Sequence, residues 1–309
     1  MSLQYYVKKY KKLIPSLIWD GCRRIRIISQ HRRVAKSCGL LINQYKENGL
    51  IFSLHKKQNV SEKIIWQYWA QGFEPRVLPE VVQRCFHSVD RYKGDFQVIR
   101  ISDETIGNWV DLPSFFLEKY KNNHISATHF SDVLRLSLLY LYGGLWLDAT
   151  ILLTGPISEE YLKGDWFMFQ RDPCQEDKRK WSQTYAYYFG WGKSFKVNYL
   201  NSFIYSKPGT EVIKATMFML LQYWKDSDKV IDYFIYQILL TCYLERYPNQ
   251  NCRIVSDCLP NLLQMYITGS YRRYSISQIL SKISIHKLSY KSIGVKQLQE
   301  IDRILTNSF

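Results

Sequence analysis

An α/β fold, a mostly parallel sheet flanked by helices, is predicted by three features of this sequence. Val133, Leu134, Leu136, Leu138, Leu139 and Leu141 are too dense for a one-sided surface helix, and Gly143-Gly144 leads from them into Leu145-Trp146-Leu147. A buried helix therefore turns directly into a buried strand. Residues 63–69 and 96–101 are short runs rich in β-formers, with Asp103 following the second; they read as two further strands. Residues 211–225 and 230–246 are apolar-rich runs of helical length, the second bounded by Asp226-Ser227-Asp228 and Pro248. With 46% hydrophobic and 16% aromatic residues, the 309-residue chain can fill a large core, which excludes global disorder.

Residues 1–58 are predicted to form a basic helical extension ahead of a single domain over residues 59–309. Lys8, Lys9, Lys11, Lys12, Arg23, Arg24, Arg26, Arg32, Arg33 and Lys36 crowd the first forty residues, where Asp20 is the sole acid; the whole chain carries a net charge of +15. Tyr5, Tyr6, Leu13, Ile14, Leu17, Ile18 and Trp19 lie among these charges, and Pro15 interrupts any single helix across them. Such a mixture suits an anionic membrane surface, where each nearby charge contributes about 1 kcal/mol. A solvated basic helix pair and a nucleic-acid patch are the alternatives. The high apolar share favours the membrane, and no nucleic-acid partner is expected. A spanning helix is not expected, because even the Leu-rich run is broken by Arg135, Gly143, Gly144 and Asp148. The opening residues also lack a signal-peptide core. A cytoplasmic protein, peripheral on the inner face of the membrane, is the expectation. The seven cysteines are scattered with no C-x-x-C pair, so neither a disulfide framework nor a zinc site is predicted.

The chemistry-bearing residues gather around the helix-to-strand segment. Gly143 and Gly144 tolerate the left-handed conformation that closes a helix. Asp148 then ends the apolar strand. An unpaired charge there is costly, so Asp148 needs a cation, several donors or water at the carboxyl edge, where open α/β sheets bind ligands. A strand-end Asp capping the next turn is the plainer reading. Asp132 and Arg135 lie three apart on one helical face, and a solvated pair of that kind is worth about 0.2–0.5 kcal/mol. Their neighbours are nearly all apolar, which argues instead for a pair held at the rim of a site.

The segment SDVLRLSLLYLYGGLWLDAT resembles the signature of the capsular polysaccharide synthesis proteins, close to glycosyltransferase family 32: S-D-x-x-R, a Leu/Tyr-rich helix, Gly-Gly, an aromatic and an Asp-x-Asp-like tripeptide. The resemblance is strong here and weaker over the rest of residues 60–290. It implies the GT-A fold, a Rossmann-like nucleotide-sugar-binding sheet, with Mn²⁺ or Mg²⁺ on the acidic tripeptide bridging the donor's diphosphate. By position it implies that Asp132 and Arg135 contact the donor sugar, and that Asp148 faces the ribose, the diphosphate or the metal. This chain departs from the pattern at Thr150, where many relatives carry the second carboxylate.

The same resemblance extends to other segments. Trp69, ending the first strand, would stack on uracil with Gln67 hydrogen-bonding nearby; core packing is the alternative. Asn201 would face the sugar, although an Asn before a strand is often a turn residue. Residues 284–291 are expected to return to the site, with His286 as the last metal ligand and Lys287 on a phosphate. The aromatic-rich stretch holding Trp166, Phe167, Phe169, Trp181, Tyr185, Tyr187, Tyr188, Phe189 and Trp191 would supply part of an acceptor groove, with more of it in the core. Asp232 is a candidate for orienting an acceptor hydroxyl, or simply a helix-start acid.

The function expected is transfer of a hexose, galactose before glucose, from a UDP-sugar to a lipid-linked oligosaccharide of a bacterial capsule or exopolysaccharide, with the retention that the resemblance implies. An inert scaffold of the assembly complex and a basic nucleic-acid-binding protein are the rival readings.

Overall fold

The computed structural model describes residues 16–49, 52–61 and 63–307. The part of the basic extension from residue 1 to 15, including Lys8, Lys9, Lys11, Lys12 and Pro15, lies outside the described residues. A central sheet is built from β1 (Ile64–Tyr68), β2 (Gln97–Ile101), β3 (Gly144–Leu147), β5 (Trp166–Gln170) and β6 (Tyr199–Ser206), and a two-stranded ribbon from β4 (Ile151–Leu153) and β7 (Ile285–Lys287). The sheet order is β2-β1-β3-β6-β5. β1 runs parallel to β2 and β3, whereas β6 is antiparallel to both β3 and β5. The α/β sheet flanked by helices expected from sequence is present, parallel through β2, β1 and β3 and antiparallel at β6, and β1 and β3 are buried as apolar strands require.

The helices are α1 (Ser16–Asn48), α2 (Glu80–Tyr92), α3 (Ser114–Lys121), α4 (Ala127–Tyr142), α5 (Lys178–Thr184), α6 (Glu211–Asp226), α7 (Ile235–Arg246), α8 (Cys258–Ile267), α9 (Ile276–Lys282) and α10 (Val295–Asn307). α4 is buried on nearly every side, as the density of its leucines dictates. Its exit is fixed by two glycines with φ of 72° and 92°. A Cβ on Gly143 would meet Pro208 Cδ at 2.7 Å, and one on Gly144 would meet the Ile64 carbonyl oxygen at 2.6 Å. Only glycine lets β3 lie this close to β1 while the chain takes a left-handed turn.

α1 packs along α6 and α7. Ile27, Val34, Cys38, Leu41 and Ile42, at helical spacing, are buried in the main core. α7 begins at Ile235 rather than at residue 230, because the Asp232 carboxylate accepts the Phe234 amide at 2.8 Å and Gln30 donates to the Ile231 carbonyl at 2.8 Å. Those two bonds hold the preceding residues in a turn. The Asp232 carboxylate is thus engaged in shaping the start of α7.

Candidate active site

Sheet order aligns the carboxyl ends of β2, β1 and β3, so Asp103, Trp69 and Asp148 follow one another along one edge. α4 crosses behind β3 and supplies Asp132 and Arg135. The antiparallel pairing of β6 with β3 lets the Asp148 amide donate to the Ser202 carbonyl at 2.9 Å, which brings the neighbouring Asn201 into the cluster. The ribbon completes it: Ile151 of β4 pairs with Lys287 of β7, and the Leu288 amide donates to the Thr150 carbonyl at 2.9 Å.

These contacts converge. Arg135 lies 3.3 Å from Asp132 Oδ1 and 3.1 Å from Asp148 Oδ1, with its guanidinium 4.9 Å from the centre of the Trp146 ring. Asn201 Nδ2 donates to Asp132 Oδ1 at 2.9 Å. Asp148 Oδ1 also accepts the Trp146 indole N–H at 2.9 Å, and its Oδ2 accepts from Lys287 Nζ at 3.0 Å. Lys287 Nζ further donates to Thr150 Oγ1 at 2.6 Å. The arrangement is layered: the Asp132 and Arg135 side chains are 6% and 4% exposed, while those of Asp148 and Lys287 are 23% and 26% exposed. Asp148 and Lys287 therefore form the solvent-facing layer of the cluster.

The two acids titrate in opposite directions for stated reasons. Burial pushes the Asp132 carboxyl up to about 7, with the Arg135 charge pulling against it and Asp148 adding to it. Asp148 is also desolvated, but Lys287 and Arg135 overcome that and bring it down to about 2. Near neutrality the cluster thus holds two cations, one full carboxylate and one carboxyl near its midpoint, a balance that favours an incoming anion.

Several sequence expectations need correction. Arg135, expected against the sugar, directs its N–H groups at Ser131 O, Ser131 Oγ, the Asn201 carbonyl and the two acids. Three of these contacts are hydrogen bonds and two are ion pairs with the acids, which makes Arg135 a strut that positions Asp132 and Asp148. Gln67 is fully buried inside the sheet, where its Oε1 accepts from Arg100 Nε at 3.1 Å; it has no access to the rim. His286, expected as a metal ligand, faces away from Asp148. Alternation along β7 turns Lys287 to the cluster and His286 into the core, where its Nε2 pairs with Thr154 Oγ1 at 3.0 Å and burial lowers its pKa to about 3.

Trp69 stands at the wall of the site, its ring packed with Ala149, Leu78, Val82 and Phe86 and edge-on to Tyr290 at 5.7 Å. Its indole N–H is buried without a partner. Most of the aromatic-rich stretch is core, but Tyr185 and Tyr187 are 43% and 49% exposed. Their rings are 6.5 Å apart, and Tyr185 lies near Tyr233, itself 56% exposed. A cavity of about 880 Å³ lined by Asp103, Tyr120 and His129 lies along the same edge, but none of Asp132, Arg135, Asp148 or Lys287 borders it.

Sequence reasoning missed Tyr236 and Tyr233, whose hydroxyls feel the charges of Asp132, Asp148 and Arg135. The Tyr236 hydroxyl is buried with no partner. It arrives from α7, and nothing in the local pattern of an apolar helix marks one tyrosine as facing a charged cluster. His129 was within reach of the sequence reading, at the head of the signature. Its ring joins Ser126 Oγ at 2.8 Å and the Tyr233 carbonyl at 3.3 Å, tethering Tyr233 to α4.

The tripeptide's donors do not suit a divalent cation. Both Asp148 oxygens are engaged by cations or an N–H, Thr150 offers a hydroxyl already bonded by Lys287, and His286 is turned away. Among the described residues no group of three or more His, Cys, Asp or Glu side chains is placed to hold a metal.

Sheet and cluster together define an α/β protein with a partly buried centre of two acids and two cations at the carboxyl edge of its parallel strands. The chain belongs to the family of capsular polysaccharide synthesis proteins, whose family model matches residues 24–305. It is 28% identical over 184 residues to the O-glycosyltransferase PaGT of Phomopsis amygdali, covering 57% of this chain and 42% of that one. It is 27% identical over 182 residues to the O-glycosyltransferase braB of Annulohypoxylon truncatum, covering 55% and 39%. The chain thus spans about two-fifths of the length of these curated relatives. The solved structure of the PaToxG glycosyltransferase aligns over 92% of this chain and 88% of that chain, at 10% identity and a TM-score of 0.38.

Proposed function

We propose that the chain is a glycosyltransferase that takes a hexose, galactose before glucose, from a UDP-sugar and delivers it with retention to a lipid-linked oligosaccharide acceptor in capsule or exopolysaccharide synthesis. The observation that carries the reading is the convergence of Asp132, Arg135, Asp148, Asn201 and Lys287 at the carboxyl edge of the sheet. Family membership and the similarity to two fungal O-glycosyltransferases support transfer chemistry.

In this reading the diphosphate lies against Lys287, the hexose near Asp148 and Asn201, and the uracil against Trp69 and Tyr290. The bond between the anomeric carbon and the β-phosphate oxygen breaks, and its electron pair stays on that oxygen. The acceptor hydroxyl oxygen bonds the anomeric carbon from the same face, and its proton passes to the departing phosphate oxygen. No side-chain nucleophile is required. Preorganised charge beside the leaving oxygen supplies the stabilisation, since fixed donors in a partly desolvated site need no reorganisation. The exposed rings of Tyr185, Tyr187 and Tyr233 offer flat faces on which an acceptor sugar stacks. The outward face of α1, with Arg24, Arg26, Arg32, Arg33 and Lys36 beside exposed Ile25 and Leu40, suits docking on an anionic bilayer that bears the acceptor.

Release of UDP from a panel of UDP-hexoses tests the reading. Turnover is expected with at least one donor, lost in Asp148→Ala and kept in Cys174→Ala, whose thiol is exposed. Folded protein that turns over none of them contradicts the reading and favours a scaffold.

A further inference from the structure

The tripeptide Asp148-Ala149-Thr150 lacks a second carboxylate, and the space between its first and third side chains is bridged by an ammonium. Lys287 Nζ lies 3.0 Å from Asp148 Oδ2 and 2.6 Å from Thr150 Oγ1. Its position is set by backbone: β7 pairs with β4 at Ile151, and Leu288 bonds the Thr150 carbonyl. The opposite oxygen of Asp148 is held by Arg135 and the Trp146 indole. A divalent ion on Asp148 would sit against two fixed cations, and Mg²⁺ in particular demands near-octahedral oxygen ligation, which this donor set lacks. An ammonium has three N–H donors. Two of those on Lys287 point at Asp148 and Thr150, which leaves one for a phosphate oxygen, and its side chain is 26% exposed.

From this geometry we infer that Lys287, clamped between Asp148 and Thr150, takes the place of a divalent cation, so that the chain binds a nucleoside diphosphate and stabilises its departure without metal. The inference rests on the nucleotide-sugar reading above. When the anomeric carbon–oxygen bond breaks, the electron pair stays on the β-phosphate oxygen, and the Lys287 N–H and charge face that diphosphate while the proton still comes from the acceptor. Thr150 is then suited to its place: a carboxylate there would bind the ammonium more tightly and reduce the charge it presents to phosphate.

The test is calorimetric titration of UDP into the full chain, once in EDTA and once with Mn²⁺, against a control for Mn²⁺ binding by UDP itself. Affinity is expected to agree within about twofold between the two conditions, to fall by about tenfold or more in Lys287→Ala, and to be largely kept in Lys287→Arg. The double variant Thr150→Asp/Lys287→Ala is expected to recover UDP binding only with Mn²⁺. Binding by the wild-type chain that is about tenfold or more tighter with Mn²⁺ than in EDTA overturns the inference and leaves the transferase reading standing. Absence of UDP binding in both conditions sinks the UDP reading and this inference with it. Circular dichroism separates a lost contact from a lost fold, and a folded Lys287→Ala chain that binds UDP as wild type does removes Lys287 from the role.

Discussion

Asp132 and Asp148 are two carboxylates in one cluster, yet their surroundings drive their titration apart. Asp148 has a cation on each oxygen, whereas Asp132 shares one oxygen between Arg135 and an amide and is otherwise desolvated. A carboxyl held up to about 7 in the folded chain and near the ordinary 3.8 in the unfolded one binds more protons folded than unfolded between those values. Its stabilisation is therefore complete below about pH 4 and is lost as pH rises through about 7. Urea unfolding between pH 5 and 8 is expected to show wild-type stability falling on this account by on the order of 1 kcal/mol or more relative to Asp132→Asn. Parallel profiles for the two proteins would mean that Asp132 is ionised throughout. At this scale the sequence exposed the charged residues but not their division of labour. Asp132, Arg135 and Asp148 are visible as charges in an apolar run, but whether an arginine reaches a ligand depends on how many of its donors the fold has already engaged. For Arg135 those acceptors include Asn201, which lies 66 positions away.

At the scale of elements, α4, β3 and the first two strands were legible because each carries its own periodicity and its own glycine or turn boundary. Gly143 and Gly144 are the clearest instance: their positive φ and lack of a Cβ are what the helix-to-strand turn requires. The ribbon was less legible. Three residues, Ile285, His286 and Lys287, form β7, and one residue of register decides which of His286 and Lys287 meets Asp148. No periodicity over so short a strand fixes that register; the pairing with β4 does. α1 poses a different question, since one stripe is core and the other is basic with Ile25 70% and Leu40 62% exposed. Co-sedimentation with vesicles is expected to show binding to phosphatidylserine-containing bilayers, weakened by salt and by replacing Arg24, Arg26, Arg32 and Arg33 together with Gln. Each lost charge removes about 1 kcal/mol. Equal binding to neutral and anionic vesicles, or none to either, contradicts a membrane role for this face.

Across the whole molecule, the sheet and ribbon bring together side chains from α4, β6, the β3–β4 turn and β7, spread over residues 132–287. The rest of the fold serves that convergence. The buried pair of Arg171 with Asp257, 2.8 Å apart, ties the end of β5 to the start of α8, and α8 in turn packs on β7, so Lys287 inherits its position from the core. Among the described residues no helix is long and apolar enough to cross a membrane. The claim on which the account turns is that one pyrophosphate-bearing ligand occupies the cluster, and a crystal structure of the chain with UDP tests it most directly. The diphosphate is expected within hydrogen-bond distance of Lys287 Nζ and the uracil against Trp69; UDP seated instead in the cavity beside Asp103 and His129, with Lys287 still closed on Asp148 and Thr150, would contradict that occupancy.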